Sequence, residues 1–171
     1  VSEFIARLRT RMDPPLYLYA RCREAEEVRA GQPMLRLLER FLRLPSGARP
    51  TVREREELDH LVPPRVTQTL LALLASEEVD SSEASAMAAP VALAAWLTAL
   101  SRARSVCIHL DDAHKADDDT LETLRLWARE APEARALLLL GLRGDGDAHD
   151  RAPGEGPIAR LAAQLPTTTL E

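Results

Sequence analysis

Two runs constrain this chain more than any other feature: VCIHL at residues 106–110 and ALLLL at residues 136–140. Both are short, dominated by Val, Ile and Leu, and continuous rather than alternating in character. A strand with one wetted face alternates polar and apolar residues, whereas a strand covered on both faces reads as an unbroken apolar run. Between the two lies a segment of helical period, DDTLETLRLWARE. Parallel neighbours need a crossover connection and antiparallel ones do not, so the pattern predicts a parallel sheet wrapped by helices.

The rest of the chain extends this order. Phe4, Ile5 and Leu8 are spaced as the later part of an amphipathic helix over residues 1–12, and Asp13-Pro14-Pro15 ends it. LYLYARC at 16–22 is a short aromatic and aliphatic strand, followed by the polar loop REAEEVRAGQP. Helices are expected from Met34 to Leu44, from a Thr51 cap to about residue 62, and over 65–76. EEVDSSEAS, residues 77–85, is a polar loop. AMAAPVALAAWLTALSRAR is a long helix with Pro90 in its first turn or kinking it. Asp117 is placed to cap the helix after the first apolar run, with Asp118 and Asp119 in the turn where negative charge is favoured. Beyond residue 143 come the acidic loop GDGDAHDRAPGEGP, a short helix IARLAAQL and the start of a strand, TTTLE. Strands near 16–21, 106–111 and 136–142 are expected to lie parallel, with 106–111 central.

With 171 residues, 46% of them hydrophobic, the chain can bury one ordinary core, and residues 1–171 are read as one partial domain. A net charge of -5 gives no basis for direct nucleic-acid binding. No stretch approaches the ~18 apolar residues of a membrane span, so no membrane partner is expected. Cys22 and Cys107 both fall in strand-like runs and are read as buried free thiols, which suits a cytoplasmic setting. Lys115 is the only lysine, so any chemistry that needs one must use it or do without. Trp96 and Trp127 sit at apolar helix positions and are expected in the core.

The first apolar run ends in two adjacent carboxylates, Asp111 and Asp112. Ligands of parallel sheets sit beyond the carboxyl ends of the strands, which is where the pair falls. A carboxylate at a rigid strand end can hold Mg²⁺, and an adjacent acid can orient the attacking water in phosphoryl transfer. Two other readings remain open from the residues alone. The pair can be a solvated strand-to-loop boundary, or His109, Asp111, Asp112 and His114 can form a transition-metal set. His114 is read as a packed or hydrogen-bonding loop residue in preference to a base.

The stretch VCIHLDDAHKADDDTLETLRLW resembles the Walker B segment of AAA-type P-loop ATPase modules of the signal-transduction (STAND) class. The family run is four apolar residues, Asp-Asp, an apolar residue, His-Trp-Ala-Asp and a helix. Asp111, Asp112, His114, Ala116 and Asp117 match it, and Lys115 stands where the family has Trp. ALLLLGLR resembles the sensor strand of these modules: Arg143 matches its arginine, while Gly141 and Leu142 replace the two residues before it. The resemblance implies a P-loop NTPase-like α/β fold with a helical insertion over about 33–103 and Walker B and sensor strands over about 105–143. It implies ATP and Mg²⁺ as cofactors of a longer parent protein, with Asp111 on the metal and nucleotide, Asp112 on the nucleotide and the attacking water, and Arg143 as a catalytic sensor. Such modules occur in large bacterial transcriptional regulators, in cyclase-type proteins and behind serine/threonine protein kinase domains. The implied partners are other domains of the same polypeptide, together with a protein partner or a second copy.

No G-x-x-x-x-G-K-[ST] run is present, and the GDGD and PGEGP segments are acidic. The first helix is read as the remainder of the helix that follows a P-loop, so the module is expected to be truncated at its N-terminus and to bind no nucleotide tightly by itself. The competing class is a nucleotide-free interaction or regulatory module with a degenerate ATPase fold, its helices at 33–103 contacting a partner. A P-loop directly upstream separates the two.

Overall fold

In the computed structural model the described residues are 2–10, 13–23, 30–75, 83–130 and 135–142. They form six helices and three strands: α1 Ser2–Arg9, β1 Leu16–Arg21, α2 Gln32–Leu42, α3 Val52–Asp59, α4 Pro64–Ala75, α5 Glu83–Ala103, β2 Val106–Asp111, α6 Asp118–Glu130 and β3 Ala136–Leu140. A single turn of 3₁₀ helix, Ala113–Lys115, joins β2 to α6. The strands make one parallel sheet in the order β1-β2-β3, with β2 central. The fold is therefore mixed α/β, a parallel sheet flanked by helices; β1 and β2 match the expected bounds, and β3 ends at Leu140, two residues short of the expected 142.

The register assigns the faces. Leu16, Leu18 and Ala20 align with Val106, Ile108 and Leu110, and these with Ala136, Leu138 and Leu140. All nine belong to the core or pack against it. That core is closed by Met34, Leu37 and Leu38 of α2, Leu58 of α3, Leu70 of α4, Leu93, Trp96 and Leu97 of α5, and Leu124 and Trp127 of α6. Helices from both crossovers thus share one side of the sheet. Trp96 is fully buried with its ring 5.7 Å from that of Phe41. The Trp127 indole N–H donates to Ser101 Oγ at 3.3 Å, so both tryptophans serve the core as expected.

Local chemistry explains the element ends. Thr51 precedes α3, and the Glu54 carboxylate reaches back to accept from both the backbone N–H and the hydroxyl of Thr51, which fixes the start of the helix. Gly31 enters α2 at φ 69, which glycine adopts without strain, and Pro33 occupies the first turn, where a missing N–H costs nothing. Two expectations shift. The long helix starts at Glu83, so the last three residues of the loop expected over 77–85 are helical and the rest of it lies outside the described residues: Glu83 and Ser85 are polar, and polarity alone does not break a helix. Pro90 then falls in the helix interior as the eighth residue of α5. The helix persists through it because Ala92, Leu93, Trp96, Leu97 and Leu100 are buried just beyond.

Among the described residues no helix is long and apolar enough to cross a membrane. Cys22 and Cys107 are both buried and free, as read from the sequence. The expected loop at 144–157, the helix at 158–165 and the strand at 167–171 lie outside the described residues.

Candidate functional site: the carboxylate pair at the end of the central strand

The central strand ends at Asp111, and hydrogen bonds from both neighbours fix this end. Cys22 N–H donates to the Asp111 carbonyl at 2.9 Å, Gly141 N–H to the Leu110 carbonyl at 2.8 Å, and Ala113 N–H to the Gly141 carbonyl at 2.8 Å. Asp112 then turns the chain with φ 53 and ψ 39, the left-handed conformation that Asp tolerates better than most residues. Lys115 N–H returns to the Asp112 carbonyl at 2.9 Å. Asp117 Oδ1 accepts from Thr120 N–H at 2.7 Å, so Asp117 is the cap of α6 foreseen in the sequence. Asp118 and Asp119 occupy the first turn of α6.

The two carboxylates differ in surroundings. The Asp111 side chain is 40% exposed, that of Asp112 only 7%. Arg21, at the end of β1, places Nε 2.7 Å from Asp112 Oδ2 and 3.9 Å from Asp111 Oδ2. The hydrogen bond and charge of Asp112 raise the pKa of Arg21 above its ordinary value. Tyr19 hydroxyl reaches Asp111 Oδ2 at 3.4 Å, and burial followed by the charge of Asp111 raises its pKa. Gly141 stands on the other side. A Cβ built there would lie 2.8 Å from Asp111 Oδ1 and 3.3 Å from Asp111 Cα, so only glycine leaves this carboxylate its present position.

The same sheet face carries a polar row below the pair. His109 Nδ1 is 2.8 Å from the Tyr17 hydroxyl, and its ring meets the edge of Tyr19 at 5.1 Å. Burial holds His109 below the usual imidazole pKa, opposed in part by Asp111. The Arg40 guanidinium lies 5.0 Å over the Tyr19 ring. Cys22 is no nucleophile: burial first, then Asp117, Asp112 and Asp111, push its thiol up to about 12.

The structure brings Asp111 and Asp112 together with Arg21, Tyr19 and Gly141. Arg143 lies outside the described residues. His114 is exposed in the 3₁₀ turn rather than packed, while its neighbour Ala113 takes the buried position of that turn. Among the described residues no three His, Cys, Asp or Glu side chains gather as a metal set. His109 is engaged with Tyr17 along the sheet, apart from the outward His114, so the four-donor alternative is not assembled. Mg²⁺ asks for less: one or two carboxylates, with water and phosphate oxygens completing the shell. Asp111, exposed at a rigid strand end with Oδ1 beside a glycine, fits that demand.

Arg21, Tyr19 and Gly141 were not singled out in the sequence as members of the site. The one available signal was that LYLYAR and VCIHLD, aligned from their first residues, place Arg21 opposite Asp111. A cleft of about 500 Å³ lined by Phe41, His60 and Leu100 among others opens near the end of α5, which leads into the start of β2 and lies away from the pair. Comparisons with protein-family models, with curated proteins and with solved structures gave no match for this chain.

Proposed function

We propose that the chain is the Walker B-bearing part of an ATP-binding and hydrolysing regulatory module, P-loop NTPase-like in fold, within a longer bacterial signalling protein of the STAND class. The observation that carries this reading is the unequal carboxylate pair at the end of the central parallel strand: Asp111 exposed, Asp112 buried and gripped by Arg21. The exposed carboxylate suits a metal that bridges outer phosphates, and the oriented one suits the attacking water. The match of Asp111, Asp112, His114, Ala116 and Asp117 to the family run supports the same assignment.

The residues present divide the labour as follows. Asp111 would hold Mg²⁺ together with phosphate oxygens, and the metal would supply charge neutralisation at the transferring phosphoryl group. Asp112, the deeper carboxylate of the pair, would accept a hydrogen bond from water and set the line of attack. Arg143 follows β3 in sequence and is proposed to sense the phosphate end. The phosphate cradle itself is proposed to come from a P-loop upstream. Setting and partners follow from the same reading: a cytoplasmic module acting on other domains of its own polypeptide.

The test is mutation in the full-length protein. Asp111→Ala should weaken Mg²⁺-dependent nucleotide binding at least tenfold, the scale of one lost charge-assisted contact of about 1.4 kcal/mol or more. Asp112→Ala should leave binding within a few-fold and reduce turnover by ~10²-fold or more, as for loss of a positioned base. Binding and turnover unchanged in both variants would return the pair to a solvated strand boundary and favour the nucleotide-free interaction module.

A further inference from the structure

Arg21 stands where the proposed metal would have to act, and the two cations cannot ignore each other. Its Nε lies 2.7 Å from Asp112 Oδ2 and 3.9 Å from Asp111 Oδ2. The Asp112 carboxylate is nearly removed from water, so it needs a counter-charge wherever it is ionised. Arg21 supplies that charge across adjacent strands, from a residue 91 positions away in sequence. Arg21 and Tyr19 both address Oδ2 of Asp111, while Oδ1 lies on the Gly141 side. The pair already holds one cation on the Oδ2 side, while the Asp111 carboxylate remains 40% exposed.

We propose that Arg21 is the resident counter-ion of the carboxylate pair, competing with a divalent cation and leaving Asp112 for the phosphate oxygens of the incoming nucleotide. The proposal rests on the reading of Asp111 as a metal carboxylate. A divalent ion held on Asp111 would share its carboxylate with the guanidinium, and like charges only a few ångströms apart repel even at water-like dielectric, disfavouring the ion roughly tenfold. When a polyphosphate accompanies the metal, the guanidinium gains a better partner than a single carboxylate, because its planar fork matches phosphate oxygens. Metal and polyanion then favour each other's binding, and by linkage neither occupies the site well alone. Asp112, released from Arg21, becomes able to accept from water. The arginine thereby keeps the acid pair closed to free cations and opens it to the metal-nucleotide complex.

The probe is Mn²⁺ alone, titrated into this chain and followed by paramagnetic broadening of the amide signals of residues 109–113. Arg21→Gln removes the charge and should bind Mn²⁺ roughly tenfold more tightly than the unmodified chain. Arg21→Lys, which keeps the charge, should stay within about twofold of it, and Asp111→Asn should abolish the broadening. Equal or weaker Mn²⁺ binding by Arg21→Gln overturns the proposal, as does broadening that survives Asp111→Asn. Where Arg21→Gln loses its dispersed amide spectrum, the unmodified chain gives the answer directly. The Arg21 Nε resonance should shift with Mg²⁺ in step with the Asp111 and Asp112 amides, and a resonance that stays put while those amides move overturns the proposal. A tenfold effect in Arg21→Gln combined with no nucleotide binding by the full-length protein would leave the counter-ion role standing while the ATPase reading fell.

Discussion

The two faces of the sheet are built from the same three strands and do different work. On one face Leu18, Ala20, Ile108 and Leu110 are covered by the helices of both crossovers, and every register position there is part of the core or packs on it. On the other face the same strands present Tyr17, Tyr19, Arg21, His109 and Asp111, joined by hydrogen bonds and ring contacts; His109 is buried there beside Cys107 and Leu139, while Arg21 and Asp111 at the strand ends are half open to solvent. The first face holds the sheet together by removing apolar surface from water. The second face spends its polar groups on orienting one another, and its upper end carries the carboxylate pair. Stability and chemistry are separated by the alternation of a strand, one residue apart.

The sharpest way to break this comparison is to truncate one leucine on each face. Leu110→Ala should destabilise the chain by about 3 kcal/mol, within the 2–5 kcal/mol typical of a fully buried leucine. Leu137 sits on the polar face and is 38% exposed, and Leu137→Ala should cost less than about 1 kcal/mol. Urea unfolding followed by circular dichroism gives both numbers, and equal losses would erase the distinction between the faces.

A smaller effect is expected at Gly141. A methyl group there meets Asp111 Oδ1 at 2.8 Å and Asp111 Cα at 3.3 Å. The carboxylate can swing away and the backbone can yield only slightly, so Gly141→Ala should cost on the order of 1 kcal/mol by overpacking. It should also push the Asp111 side chain towards Arg21, which a change in the Arg21 Nε resonance would report.

The smallest effect belongs to the polar row. Tyr17→Phe deletes the hydrogen bond to His109 and should cost roughly 0.5 kcal/mol, the low end for a hydrogen bond with a part-exposed partner, again by urea unfolding. His109 adds a pH dependence to this face. Burial lowers its pKa in the folded chain, so between that value and the unfolded value of about 6.5 the unfolded chain binds more protons. The stabilisation from a neutral His109 is complete above about pH 6.5 and is lost as pH falls through the folded value. Titration of the His109 ring followed by NMR should fall below the ordinary imidazole value, and a ring that titrates at or above that value would contradict its buried, uncharged state.

How far these features could be read in the sequence depended on their range. VCIHL and ALLLL were legible as buried strands because they are too short for helices and are separated by a segment of helical period. Asp117 was legible as a cap because capping is local: the acceptor and the Thr120 N–H lie three residues apart. The unbroken apolar reading of VCIHL nevertheless concealed that its alternate residues face different surroundings, with His109 directed to Tyr17 rather than into the main core. That pairing needs the register between strands 92 residues apart. The Arg21–Asp112 bridge and the close approach of Gly141 to Asp111 are equally non-local, and no periodicity encodes them. The start of α5 was misjudged for the opposite reason: polarity at Glu83 and Ser85 suggested a loop, while tertiary packing farther along the helix carried those residues with it.

The central claim is that the carboxylate pair is one half of a nucleotide site whose phosphate cradle lies elsewhere. Calorimetry with Mg-ATP on two proteins tests it most directly: this chain, and the same chain extended upstream by on the order of 40 native residues, enough for a strand, a phosphate loop and the start of its helix. The chain alone should show very weak binding or none, because two carboxylates facing a triphosphate repel it and a bound metal cannot orient it without backbone N–H donors. The extended chain should bind, and Asp111→Ala within it should lose most of that binding. Tight Mg-ATP binding by the short chain, or none by the extended one, would contradict the account.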